Sequence, residues 1–244
     1  MTMTMTVMVV IPSRLASTRL PNKPLADIAG KPMIVRVAEQ AVKANVGSVV
    51  VAAGDPEIVQ AVEAAGFKAV LTDADLPSGS DRIWQAVQRL VAKGAIKPEI
   101  IINVQGDEPL LPPELIVQCV EAFKAHPEAD VVTYGHTMTN PAEIDDAAKV
   151  KIAMTPSGRA LYFSRSIIPH GATQAVRHIG FYGYRYAALE RFVAAPPSPL
   201  ELQEKLEQLR GLEMGLVYHV EMTPHAPIGV DTQEHLEHVR KVWK

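Results

Sequence analysis

With one cysteine in 244 residues, Cys119, the chain has no partner for an internal disulfide, so a crosslinked scaffold is excluded and a reducing cytoplasm is the expected setting. No apolar run approaches the roughly 20 residues of a membrane-spanning helix. The opening MTMTMTVMVV has neither a charged segment nor a small-residue cleavage site before the first strand, so no signal peptide is expected. Charge of one sign is also missing. Lys and Arg total 24 against 27 Asp and Glu, a formal net charge of -3, which gives no general attraction to nucleic acid or membrane. Any anion must be held by a local cluster of cations. There is no internal repeat, and no low-complexity tract beyond the Met-Thr start. Neither G-x-G-x-x-G nor G-x-x-x-x-G-K-[ST] occurs, so two common phosphate-binding turns are not signalled.

What is present is an alternation of buried strands and helices. Continuous apolar runs at 7–11, 48–53 and 100–104 fit strands covered on both faces, with shorter strands at 68–71 and 130–134. Helical spacing occupies 32–44, 57–65, 81–93 and 112–125, and Gly66 and Gly94 stop two of these helices. The pattern predicts an α/β fold with a mostly parallel sheet and helices on both faces. After Val150 it changes: VKIAMTPSGRALYFSR reads as two strands around a Pro-Ser-Gly turn, and HIGFYGYR is a poor helix. Helices follow at 200–212 and 233–243 with a strand at 216–222 between them. The organisation expected is one domain over 1–244 with a smaller strand-rich subregion embedded at about 135–190.

Two stretches carry chemistry. The first strand and first helix are joined by a loop of eighteen residues, 13–30, where about 2–6 are usual. It leaves the carboxyl end of a strand, where open parallel sheets bind ligands, and it carries Arg14, Arg19 and Lys23. Arg offers a planar fork and Lys a compact charge, so together they suit phosphate oxygens. The second stretch, IIINVQGDEPLL, runs from a buried strand into Gln105, Gly106, Asp107 and Glu108. Carboxylates there can hold Mg2+, which prefers oxygen ligands shared with substrate phosphates, although Gly-Asp before a proline is also ordinary turn chemistry. Asp231, in PIGVDTQEHLEHV, is expected to cap the last helix with Glu234 as its capping-box partner, and its second oxygen leaves it able to ligate a metal.

At this point the chain resembles a known family. IPSRLASTRLPNKPL, GKPMI, SGSDR, NVQGDEP, ALYFSR, IPH, RHIGFYGYR, PSPLE…LEQLR and GVDT, in order from about Val9 to Val239, resemble the 3-deoxy-manno-octulosonate cytidylyltransferases. The resemblance implies a nucleotide-diphospho-sugar-transferase-like fold, typically a homodimer. It implies a reaction of CTP with 3-deoxy-D-manno-octulosonate (Kdo) to give CMP-Kdo, for lipopolysaccharide, and pyrophosphate. The long loop would then wrap CTP, with Arg14 and Lys23 catalytic and Ser13 and Arg19 binding. Ser80, Arg82 and Gln105 would line the nucleotide pocket, and Asp107 and Asp231 would be both catalytic and Mg2+ ligands. Ser80 and Asp81 stand where many members have Thr and Glu.

The acceptor carries a carboxylate beside its anomeric carbon, so its site calls for a cationic fork and hydroxyl-binding groups. By resemblance these are Arg165, His178, Tyr182, Arg185, Glu207 and Gln208, although His178 and Tyr182 also fit simple packing and Glu207 a solvated helix face. The stretch from Gly171 to Val176 is short where many members carry an insertion. The mechanism implied is in-line attack of the C2 hydroxyl on the α-phosphorus. An 8-amino-Kdo or sialic acid cytidylyltransferase, and a non-catalytic nucleotide-binding protein on the same fold, are the alternatives.

Overall fold

The computed structural model describes residues 5–17, 19–225 and 229–243. The chain divides into two compact units, Met1–Val120 with Pro227–Lys244, and Glu121–Ala226. The expected subregion at about 135–190 falls inside the second.

In the first unit, β1 (Val7–Ser13) lies between two strands that reach it later in the chain. A short 3-10 turn, Lys23–Leu25, and a two-strand pair, β2 (Asp27–Ile28) and β3 (Lys31–Pro32), occupy the loop that leaves it. Then come α1 (Met33–Lys43), β4 (Ser48–Ala53), α2 (Pro56–Ala64), β5 (Ala69–Leu71), α3 (Gly79–Ala92), β6 (Ile100–Asn103) and the start of α4 (Pro113–Ala125). β1 pairs parallel with β4 and with β6, and β4 with β5, giving the order β6-β1-β4-β5. The apolar runs explain the order. Val9, Val10 and Ile11 are fully buried, as are Ile100, Ile101 and Ile102, as expected of strands covered on both faces.

The second unit is built on β7 (Val131–Met138). A short helix α5 (Pro141–Asp145) precedes the hairpin β8 (Lys151–Met154) and β9 (Ala160–Ser164), which turns at the expected Pro-Ser-Gly. HIGFYGYR belongs to β10 (Ala175–Arg185), antiparallel to β7, with a register shift between Ile179 and Tyr182. Then follow α6 (Tyr186–Ala194), α7 (Pro199–Glu204), α8 (Gln208–Glu213) and β11 (Tyr218–Met222), which pairs parallel with β7. The single helix expected over 200–212 is two, because Lys205 takes a left-handed φ of 55° and ends the first. Helix α9 (Gln233–Val242) returns to the first unit. No helix among the described residues is long and apolar enough to cross a membrane.

Candidate active site

The carboxyl ends of β1 and β6 meet closely. A Cβ on Gly106 would stand 2.6 Å from the Pro12 carbonyl oxygen, so only glycine lets the stretch after β6 lie against β1. The loop after β1 is pinned at its start: Gly54 N–H donates to the Ser13 carbonyl at 2.8 Å, and Leu15 N–H to Asp55 Oδ2 at 2.7 Å. Asn22, left-handed at φ 54°, turns the chain into the 3-10 turn and aims Lys23 inward. Lys23 Nζ reaches Asp107 Oδ2 at 2.7 Å and Asp231 Oδ1 at 3.3 Å, and Arg19 Nη2 reaches Asp231 Oδ1 at 3.1 Å. The Lys23 side chain is 15% exposed and that of Arg19 65%, so solvent screens the second contact far more than the first.

Asp231 arrives there because α9 packs against the loop. Val230, Leu236 and Val239 join Ile28 and Met33 in one buried cluster, with Leu20 and Trp243 beside it. Val230 N–H donates to the Asp107 carbonyl at 2.8 Å, which sets the two aspartates side by side. The expected capping role of Asp231 is corrected by this geometry. Thr232, extended at φ -129°, is the N-cap, and its hydroxyl accepts from His235 N–H at 3.3 Å. Asp231 lies one residue outside the helix, where its carboxylate can face the cations. Thr232→Ala should therefore lower unfolding free energy by about 1 kcal/mol. Asp231→Asn should leave the denaturation midpoint unmoved while activity falls, and denaturant titration beside a turnover assay separates the two.

These groups line a cavity of about 650 Å³ together with Ser13, Arg14, Arg82 and Gln105. Ser78 and Gly79, at the start of the fourteen-residue α3, line it too. Ser78 caps α3: its hydroxyl accepts from Asp81 N–H at 3.2 Å and donates to Asp81 Oδ2 at 2.7 Å. The helix thereby presents its positive end to the cavity beside the loop cations, an arrangement suited to an anion. Ser80 is buried in the first turn. The Ser13 hydroxyl is buried in the cavity wall with no hydrogen-bond partner, which marks it for a ligand oxygen. Arg82 is less available than expected. It is buried, and its guanidinium donates to Thr72 Oγ1 and to the carbonyls of Asp73 and Ala74. Burial first, then the neighbouring Arg14, hold Arg82 below the usual arginine value. It shapes the wall and adds positive potential. Two carboxylates from distant segments facing a single cationic atom fit a hard divalent ion, which takes oxygen donors.

The second unit holds the residues expected for an acceptor, and the structure separates them. Arg165 donates Nε to the Glu204 carbonyl at 2.8 Å, Nη1 to Ala147 at 3.1 Å and Nη2 to Lys205 at 3.3 Å. Arg185 donates to the carbonyls of Ala129, Pro127 and Phe123 beyond and within the last turn of α4, and lies over the Phe123 ring. Both guanidiniums thus hold backbone rather than presenting an open fork. His178, Tyr182 and Glu207 do come together. His178 Nε2 is 3.0 Å from Thr133 Oγ1, and the His178 and Tyr182 rings are 5.4 Å apart. Burial, then Tyr218 and Glu207, push the Tyr182 phenol well up. Gln208 is buried at the start of α8. Tyr218, not anticipated from the sequence, joins them with a buried hydroxyl that has no hydrogen-bond partner. Gly211 makes room for it, since a Cβ there would fall 2.1 Å from that oxygen. Nothing in an apolar strand pattern distinguishes such a tyrosine beforehand.

Burial, with a smaller push from Arg177, lowers the His178 imidazole from 6.5 to about 3. The neutral ring is the native form. The unfolded chain binds a proton below pH 6.5 and the folded one does not, so stability is complete above that pH and is lost as pH falls toward 3. His178→Gln should flatten this acid limb in denaturant melts run between pH 6.5 and 4.5, while an unchanged limb would assign it elsewhere.

A model of the cytidylyltransferase family matches residues 8–222. The 3-deoxy-manno-octulosonate cytidylyltransferase of Azorhizobium caulinodans is 51% identical over 238 residues, 96% of this chain and 94% of that protein. That of Parvibaculum lavamentivorans is 53% identical over 237 residues, 96% and 91%. Among solved structures, a CMP:2-keto-3-deoxy-manno-octonic acid synthetase complexed with CTP superposes with a TM-score of 0.90 at 38% identity, covering 97% of this chain and 98% of that one. On half-identity to these relatives over nearly its whole length, the chain belongs to the cytidylyltransferase family.

Proposed function

We propose that this enzyme transfers CMP from CTP to the anomeric hydroxyl of Kdo, giving CMP-Kdo and pyrophosphate for lipopolysaccharide synthesis. The observation that carries the reading is the convergence of Asp107, Asp231 and Lys23 in a cavity lined by cations and a helix N-terminus. Arg14, Arg19 and the first turn of α3 hold the triphosphate oxygens, and the Ser13 hydroxyl adds a donor at the wall. Lys23 sits where negative charge grows as pyrophosphate leaves. Asp107 and Asp231 would hold Mg2+, which when bound would screen the phosphate charge and lower the pKa of the attacking hydroxyl.

The polar cluster of the second unit, His178, Tyr182, Glu207, Gln208 and Tyr218, suits a ligand rich in hydroxyls. Arg165 and Arg185 act by fixing the backbone around that cluster. The enzyme is read as a cytoplasmic homodimer, which sedimentation of the purified chain tests. Pyrophosphate release across a matrix of nucleotides and sugar acids tests the reaction. Release requiring CTP, Kdo and Mg2+ together is expected. Release with 8-amino-Kdo or sialic acid in place of Kdo would reassign the acceptor, and CTP binding without release would reduce the protein to a nucleotide binder.

A further inference from the structure

Within the second unit, two histidines and a glutamate come together. His126 follows the last turn of α4, where its N–H donates to the Ala122 carbonyl at 2.8 Å. His219 and Glu221 stand two apart on β11, so the pleat turns both to one face. The two imidazoles stack with centroids 3.6 Å apart and planes at 21°. His219 Nε2 lies 3.0 Å from Glu221 Oε1. One ligand atom from each of His126, His219 and Glu221 lies within 4.8 Å of the other two. Gly158, at φ 87°, leaves the space this needs, since a Cβ there would come within 2.6 Å of His219 Cε1.

We infer that His126, His219 and Glu221 form a binding site for a borderline divalent transition metal, with Zn2+ the best match. Tetrahedral Zn2+ with N and O donors at about 2.0–2.1 Å requires ligand atoms roughly 3.3 Å apart, which the three reach when one imidazole turns out of the stack so that the two lone pairs converge. Two imidazoles and one carboxylate select this class over Mg2+ and Ca2+, which take oxygen donors. Glu128, whose Oε1 is 3.3 Å from His126 Nδ1, orients that ring as carboxylates commonly orient metal-binding histidines. An ion here ties the end of α4 to β11, so its role is structural.

The test is calorimetric titration of the full chain with Zn2+ in excess Mg2+, with the melting temperature followed in parallel. One equivalent should bind and raise the melting temperature. His126→Gln and Glu221→Gln should each weaken binding about tenfold or more. The double variant should lose it, and Asp107→Asn should retain it. Both chosen side chains are about one-third exposed, so the metal-free variants should melt close to the parent. If they unfold instead, Co2+ in the parent decides: intense visible bands of a four-coordinate ion support the site, and the weak spectrum of a six-coordinate ion overturns it. No Zn2+ bound by the parent, binding intact in the double variant, or binding lost in Asp107→Asn would each overturn it as well.

Discussion

Asp107→Asn is expected to cut turnover by about 10²–10³-fold, the scale seen when a preorganised electrostatic group is removed from a reacting centre. The substitution is nearly isosteric, and its side chain is 31% exposed, so unfolding free energy should stay within about 0.5 kcal/mol of the parent. What changes is charge. Lys23 Nζ, 2.7 Å from Asp107 Oδ2, loses its nearer anionic partner and keeps only Asp231 at 3.3 Å. A hard divalent ion likewise loses one of its two carboxylates, and a neutral amide oxygen is a poor replacement. Raising Mg2+ should therefore recover part of the activity in the variant, and steady-state pyrophosphate release across a Mg2+ series measures it. Near-normal turnover at ordinary Mg2+ would make Asp107 a turn residue after β6 and nothing more.

The local part of this arrangement was legible in the sequence. The strand at 48–53 was read with its observed bounds, because an apolar run flanked by polar residues has one simple solution in an α/β chain. The position of the cationic loop after the first strand also followed from pattern alone. What joined the loop to two aspartates did not. Asp107 and Asp231 meet through Val230 N–H on the Asp107 carbonyl and through the packing of α9 against Ile28 and Met33, contacts between segments distant in sequence. Only the family resemblance paired them beforehand.

The misreadings are just as physical. Asp and Thr are adjacent and both cap well, so the pattern could not say which does; the extended backbone of Thr232 decides it. The helix expected over 200–212 ignored that Lys205 can adopt a left-handed conformation, and the long loop after β1 runs into a hairpin only two residues wide on each side, too short to show as an alternating pattern. Arginines next to a sugar-pocket motif invited a substrate role. In this structure both guanidiniums also hold backbone carbonyls, those around Arg165 and those at the end of α4.

Lys23→Ala is expected to lower kcat by about 10²-fold or more, with a smaller change in the apparent affinity for CTP. The reasoning starts from where the ammonium sits. Its side chain is 15% exposed, it touches both aspartates, and it comes from a 3-10 turn that Asn22 and the Leu25 N–H to Asn22 carbonyl bond hold in place. Such a charge does not need to reorganise when a leaving group becomes more negative. An interaction that strengthens only as that charge grows appears in kcat, whereas one made equally with bound CTP appears in KM. Arg19, 65% exposed on Asp231, is the internal comparison: Arg19→Ala should cost several-fold at most, because solvent already screens it. Removing Lys23 also leaves two carboxylates facing each other, with Arg19 paired to Asp231 alone. The metal-free variant should therefore be less stable than the parent, and Mg2+ should restore stability without restoring kcat. Single-turnover measurement at saturating CTP and Mg2+ separates the outcomes. A defect confined to CTP affinity, with the chemical step intact, would make Lys23 a binding residue and remove it from the stabilisation of the leaving pyrophosphate.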